Sequence, residues 1–278
     1  MGQLGAPVPT PLTTGVTVPV LSQGDPNGPV LLLLHAWAES ARVFDRLVPR
    51  LPTSVHAVAF DQRGHGDASA PRRGYRLADY AADVVALLDA LRLEHAVLLG
   101  SSSGGYVAQE VARRHPGRVA GLVLAGAPHD LTRPPAFAEE VLALEDPVER
   151  DWAQASLTWF PLFTSVPEWY VRARLDEMVR VPAVVLREAF RGLLEARPPT
   201  RDGPLGVPGL VVWGERDTVL DRAGQEALAS ALDGGELVVY PRTGHLLLWE
   251  QPEQLAGDAV RFVAGLAHGS IPGHRAPP

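Results

Sequence analysis

The chain has 278 residues, enough for one large domain or a core domain with an inserted subdomain, and its 46% hydrophobic and 21% charged residues are ordinary for a soluble globular protein. A formal net charge of -7 speaks against a nucleic-acid binder, which needs a basic surface to neutralise phosphates, and no apolar run is long enough to span a bilayer. The absence of cysteine excludes a disulfide framework, a thiolate nucleophile and a Cys-ligated metal; because all 25 basic side chains are Arg, Schiff-base chemistry on lysine is excluded as well.

Residues 1–14 are Pro/Gly-rich and lack the basic region and apolar core of a secretory signal, so a cytoplasmic location is expected. This stretch and residues 268–278 read as flexible tails. Between them, Val30–Leu34, Val55–Phe60, Ala96–Leu99, Gly121–Ala125, Leu210–Trp213 and Leu237–Tyr240 are short continuous apolar runs, the pattern of strands buried on both faces of a parallel sheet. Leu77, Tyr80, Val84, Leu87, Leu88 and Leu91 recur at helical spacing, and Gly104–Arg114, Arg222–Leu232 and Gln251–Leu266 also read as helices. Strand–helix alternation of this kind predicts an α/β fold: a mostly parallel central sheet with helices on both faces. Residues 15–131 and 200–267 form the expected core. Residues 132–199 hold no strand-like run and are rich in aromatics, so they are expected to be a helical cap inserted over the strand C-termini, where open α/β sheets bind ligands. Trp152, Trp159, Phe163 and Trp169 of this insertion are the expected pocket residues.

Gly100-Ser101-Ser102-Ser103-Gly104 matches G-x-S-x-G between the strand AVLL and the helix GYVAQEVARR, the context in which this motif presents a nucleophilic serine on a sharp turn. A serine hydroxyl needs an adjacent base, and His245, in TGHLLLWEQPEQ after the last strand, is the candidate. Asp217, in VVWGERDTVLD, is the candidate to accept the other imidazole N–H. It could instead cap the helix that follows, a task Asp221 could also perform, and Asp130 in GAPHD is a rival acid. The order Ser…Asp…His favours Asp217. The backbone N–H of Ser103, and that of Trp37 in the loop after VLLLL, are the candidate oxyanion-hole donors. Asp61-Gln62-Arg63-Gly64-His65-Gly66 reads as a structural loop below the elbow.

Five landmarks in order, LLLLHAW, FDQRGHG, GSSSGG, VVWGERD and TGHLL, resemble those of the α/β-hydrolase superfamily, and the resemblance runs from about residue 16 to 266. It implies Ser102 as nucleophile, His245 as base, Asp217 as acid, an oxyanion hole from Trp37 and Ser103, and no metal or cofactor. One departure is that the family usually has His-Gly after the early strand, where this chain has His35-Ala36. A Ser nucleophile rather than Asp separates it from the haloalkane dehalogenases and epoxide hydrolases of that superfamily. The expected activity is hydrolysis of a small-to-medium neutral carboxylic ester or lactone, with a small-molecule substrate and neither nucleic acid nor membrane as partner. Cofactor-free perhydrolases or haloperoxidases, C–C bond hydrolases and non-turnover receptors share the pattern and stay open as alternatives.

Overall fold

The computed structural model describes residues 4–267. Eight strands form one sheet: β1 (Val8–Pro11), β2 (Thr17–Gln23), β3 (Val30–Leu34), β4 (His56–Phe60), β5 (Ala96–Ser101), β6 (Val119–Ala125), β7 (Pro208–Gly214) and β8 (Asp233–Tyr240). Their spatial order is β1-β2-β4-β3-β5-β6-β7-β8. Strands β3 to β8 run parallel, and β1 and β2 add an antiparallel edge.

The pleat sends alternate residues to opposite faces. Leu31 and Leu33 join Ala57, Ala59, Val97, Leu99, Val123 and Val212 in one core. Leu32 and Leu34 join Val58, Phe60, Leu98, Leu122, Leu124 and Val211 in the other. Both faces are dry, so a strand such as VLLLL is apolar throughout instead of alternating. Helices α1 (Leu77–Ala90) and α2 (Ser103–Arg114) cover one face together with α7 (Arg222–Ser230), and α9 (Pro252–Ala267) covers the other. Between β6 and β7 lie α3 (Ala138–Leu142), α4 (Arg150–Ser156), α5 (Glu168–Met178) and α6 (Ala183–Leu194), with no strand among them. A single turn, α8 (Leu247–Glu250), precedes α9.

The N-terminal tail expected over residues 1–14 is corrected in part. Val8–Pro11 pairs with β2, Val8 opposite Val20 and Thr10 opposite Val18, and Leu12 is buried just beyond. Proline is tolerated here because β1 is an edge strand, where a missing N–H can face solvent. Residues 1–3 and the expected tail at 268–278 lie outside the described residues. Among the described residues, no helix is long and apolar enough to cross a membrane.

Candidate active site

Ser102 stands alone between the end of β5 and the start of α2, with φ 47° and ψ -119°. Non-glycine residues occupy this region only when their surroundings over-determine it. Here they do: Ser102 N–H donates to the Ala125 carbonyl at 2.9 Å, and the Ser102 carbonyl accepts from Gly105 N–H at 2.9 Å. The turn also requires the two motif glycines. A Cβ on Gly100 would lie 2.4 Å from Gly105 N, and one on Gly104 would lie 2.3 Å from the Leu34 carbonyl oxygen. The start of α2 is thereby pressed against the end of β3, which brings the following loop, His35 to Ser40, beside the serine.

Loops after β7 and β8 bring in the partners. Ser102 Oγ lies 2.9 Å from His245 Nε2, and His245 Nδ1 lies 2.8 Å from Asp217 Oδ2. Nδ1 beside a carboxylate carries the proton and donates it, which leaves the Nε2 lone pair to accept from the serine hydroxyl. The Asp217 side chain is fully buried, and its Oδ1 accepts from Val219 N–H at 2.8 Å and Leu220 N–H at 3.0 Å. The competing cap role falls to Asp221, which accepts from Gly224 N–H at 2.7 Å at the start of α7. Asp130 is hydrogen-bonded to Thr132 and lies 3.6 Å from the His129 ring, while the carboxylate on His245 is that of Asp217. Burial opposes a charge on His245, but the Asp217 charge and hydrogen bond, with a contribution from Glu39, outweigh it and hold the imidazole above its ordinary pKa of 6.5.

The two candidate oxyanion donors are not equivalent. Among the described residues, Ser103 N–H has no acceptor, whereas Trp37 N–H donates to the Ser103 hydroxyl oxygen at 2.6 Å. An arriving oxyanion must share or displace that bond. A neutral hydrogen bond is worth about 0.5–1.5 kcal/mol, so Ser103→Ala is expected to raise kcat/KM for ester cleavage by about two- to twelve-fold. A fall on steady-state assay would mean that the hydroxyl helps the transition state instead.

The loop itself is braced by Glu39, whose carboxyl accepts from Ala36 N–H at 3.1 Å and from the Trp249 indole N–H at 2.9 Å. Trp37 is anchored through its own indole N–H to the Leu186 carbonyl at 2.9 Å. The left-handed residue of this loop is Ala38, at φ 62°, and not Ala36. Alanine in place of the family's glycine at position 36 therefore needs no special backbone.

Residues 61–66 support the site from behind. Asp61 accepts from Ala41 N–H at 2.8 Å and Asp67 N–H at 2.9 Å, and Arg63 pairs with Asp83 of α1 at 2.5 Å. Burial lowers both His35 and His65 to about 4. Neutral His35 then donates from Nδ1 to the Ala36 carbonyl at 2.8 Å and accepts Gln62 N–H on Nε2 at 2.9 Å, which links this loop to the one carrying Trp37.

Ser102 and His245 open into a cavity of about 100 Å³ whose walls include Leu131, Phe137, Phe160, Phe190, Val219 and Leu246. None of the four expected pocket aromatics lines it, and that expectation is corrected. Trp159 stacks on the back of Phe137 at 4.5 Å and Trp152 meets Trp159 edge-on at 5.7 Å, so both buttress the wall. Phe163 packs under the Arg216 guanidinium, and Trp169 is 62% exposed against Tyr170. The aromatic that meets the His245 ring is Phe160, stacked on it at 5.3 Å. Aromatic content marked the correct segment but not which ring faces inward. Glu39 and Glu250 were also missed. Their signal is a carboxyl among apolar neighbours, as in LLLWE at residues 246–250.

The family model for the alpha/beta hydrolase fold matches residues 29–252. The pimeloyl-[acyl-carrier protein] methyl ester esterase of Neisseria meningitidis is 29% identical over 242 residues, covering 84% of this chain and 92% of that protein. The non-heme chloroperoxidase of Streptomyces lividans is 42% identical over 106 residues, 37% of this chain and 38% of its own. Among solved structures, the esterase RhEst1 from Rhodococcus sp. ECU1013 superposes with a TM-score of 0.80 at 25% identity, covering 95% of this chain and all of that one.

Proposed function

The chain belongs to the alpha/beta hydrolase fold family, and on that premise we propose that it cleaves small-to-medium neutral carboxylic esters or lactones through an acyl-enzyme on Ser102. The observation that carries this reading is the unbroken hydrogen-bonded series from Ser102 Oγ through His245 to Asp217, beside the unpartnered Ser103 N–H. His245 Nε2 takes the hydroxyl proton as Oγ attacks the carbonyl carbon, and Asp217 stabilises the imidazolium that forms. The oxyanion is held by the Ser103 and Trp37 N–H groups. His245 then returns its proton to the leaving alkoxide, and a water that it deprotonates releases the acid.

The cavity supports the substrate class. At ~10–15 Å³ per water, about 100 Å³ has room for roughly seven to ten water-sized groups, which suits a short or medium acyl chain. Among the described residues no arginine lines it, and the acidic residue in its wall is Glu39. A substrate bearing a free carboxylate beside the scissile bond would find no arginine there to pair with. A second reading, perhydrolysis with hydrogen peroxide replacing water in the same acyl-enzyme, is favoured by the stretch shared with the chloroperoxidase.

A series of p-nitrophenyl esters from acetate to palmitate tests the proposal. The expected kcat/KM optimum falls at about four to eight acyl carbons, with hydrogen peroxide no better an acceptor than water. An optimum on the longest chains, a preference for half-esters of diacids, or turnover below about one per minute on every ester against a typical ~10 per second would each contradict it.

A further inference from the structure

Glu250 is a buried carboxyl, 5% exposed, that the proposed acyl transfer does not use. Its two oxygens collect hydrogen bonds from two separate stretches of chain. Oε1 accepts from Gly244 N–H at 2.7 Å, the residue immediately before His245. Oε2 accepts from Phe163 N–H at 2.7 Å and Thr164 N–H at 2.9 Å, both in the inserted segment between α4 and α5. Among the described residues no arginine pairs with Glu250; three backbone N–H groups, with the Thr164 hydroxyl at 3.3 Å from Oε2, are the donors that satisfy it.

The same two stretches meet elsewhere. Phe160 stacks on the His245 imidazole with rings 25° from parallel. Thr218, next to Asp217, donates its hydroxyl to the Trp159 carbonyl at 3.1 Å. A Cβ on Gly244 would come within 2.6 Å of the Pro161 carbonyl oxygen. Residues 159–164 are therefore hung from the loops that carry Asp217 and His245, and the Glu250 carboxyl bonds both residues 163–164 and the residue before His245.

We propose that Glu250 is a positioning residue that clamps residues 159–164 onto the His245 loop, so that Phe160 roofs the imidazole and keeps its Nε2 aligned on Ser102. The proposal rests on the acyl-enzyme reading above. Its chemistry depends on two acceptor oxygens. An amide offers only one, and its NH2 would face either Gly244 N–H or the Phe163 and Thr164 N–H pair, donor against donor. Glu250→Gln therefore opens one arm of the clamp with almost no change in volume.

The test is a double-mutant cycle of Glu250→Gln and Phe160→Leu on p-nitrophenyl butyrate, with rates expressed per fluorophosphonate-titratable site. Glu250→Gln is expected to lower kcat by about ten- to a hundred-fold with KM changed by less than about three-fold, and to broaden the downfield proton resonance of the His245–Asp217 hydrogen bond. Phe160→Leu added to it should cost little more, because both act through the same imidazole. A per-site kcat within two-fold of wild type in Glu250→Gln, or effects of the two substitutions that multiply independently, would overturn the clamp. Should Glu250→Gln not fold, Phe160→Leu alone decides: an unchanged downfield resonance and an unchanged acid limb of the pH–rate profile contradict the roof. Fluorophosphonate labelling of wild-type Ser102 in the same experiment keeps the two ideas separate. If wild type labels and the variants behave as wild type, only the clamp fails.

Discussion

Ser102→Ala is expected to lower ester hydrolysis by a factor on the order of 10⁵–10⁶ in kcat while leaving the melting temperature within a few degrees of wild type. The size follows from the loss of the covalent route, since neither neighbouring hydroxyl can replace the one removed. Ser101 ends β5, and the Ser103 oxygen accepts the Trp37 N–H. The small structural effect follows from what holds the elbow. The backbone bonds of Ser102 to Ala125, Gly105 and Tyr106 do not involve the side chain. Alanine at φ 47° carries the same strain that serine already bears there. Circular dichroism and a p-nitrophenyl butyrate assay on the same sample check both halves.

Asp217→Asn is expected to cost about 10⁴ in kcat, the magnitude seen when an imidazole is left in the wrong tautomer. The asparagine amide can present an N–H to Nδ1, which selects the tautomer in which Nε2 carries the proton and can no longer accept one from Ser102. The pH profile gives a second reading. In wild type, His245 must be neutral to act as base, and its pKa lies above 6.5, so the acid limb of kcat/KM should fall above that value. Removing the Asp217 charge leaves burial as the dominant influence on His245, which lowers the imidazolium pKa. The acid limb of Asp217→Asn should therefore move to lower pH even as the plateau collapses. Asp130→Asn, at an acid that does not face the imidazole, should leave both the limb and the plateau in place.

The parts of this molecule that were legible in its sequence share a physical cause. Strands β3 to β7 are buried on both faces, so continuous apolar runs marked each of them, and the half-buried LVVY marked the outer strand β8. The elbow was legible because Gly100 and Gly104 flank the serine where a Cβ would strike backbone, and such a steric demand is written in residue types. The antiparallel strands β1 and β2 were not legible. Proline occurs in both VPTP and TVPVLSQ and reads as a breaker; β1 accepts it as the outermost strand, and Pro19 of β2 lies directly opposite Pro9. The pocket wall was hidden for a different reason. Trp152, Trp159 and Phe160 lie within one short stretch, and which ring turns inward is decided by packing against Phe137 and His245 from distant segments. Glu250 was hidden in the same way, because its donors come from residues 163, 164 and 244.

The two candidate oxyanion donors beside Ser102 give the site an asymmetry that the family resemblance alone does not imply. One candidate oxyanion donor is free and the other is engaged by a neighbouring hydroxyl, while Glu39 fixes the loop that presents it. On the proposed mechanism, reactivity is expected to depend on how readily that hydroxyl yields as well as on the nucleophile.

The central claim, that Ser102 is the activated nucleophile, is tested most directly by covalent labelling. The protein is incubated with a fluorophosphonate and the adduct is mapped by peptide mass. The account predicts one equivalent of phosphonyl group per chain, located on Ser102, absent in Ser102→Ala and slowed by several orders of magnitude in His245→Ala. Labelling of another residue, or no labelling of a folded wild-type protein, would contradict it.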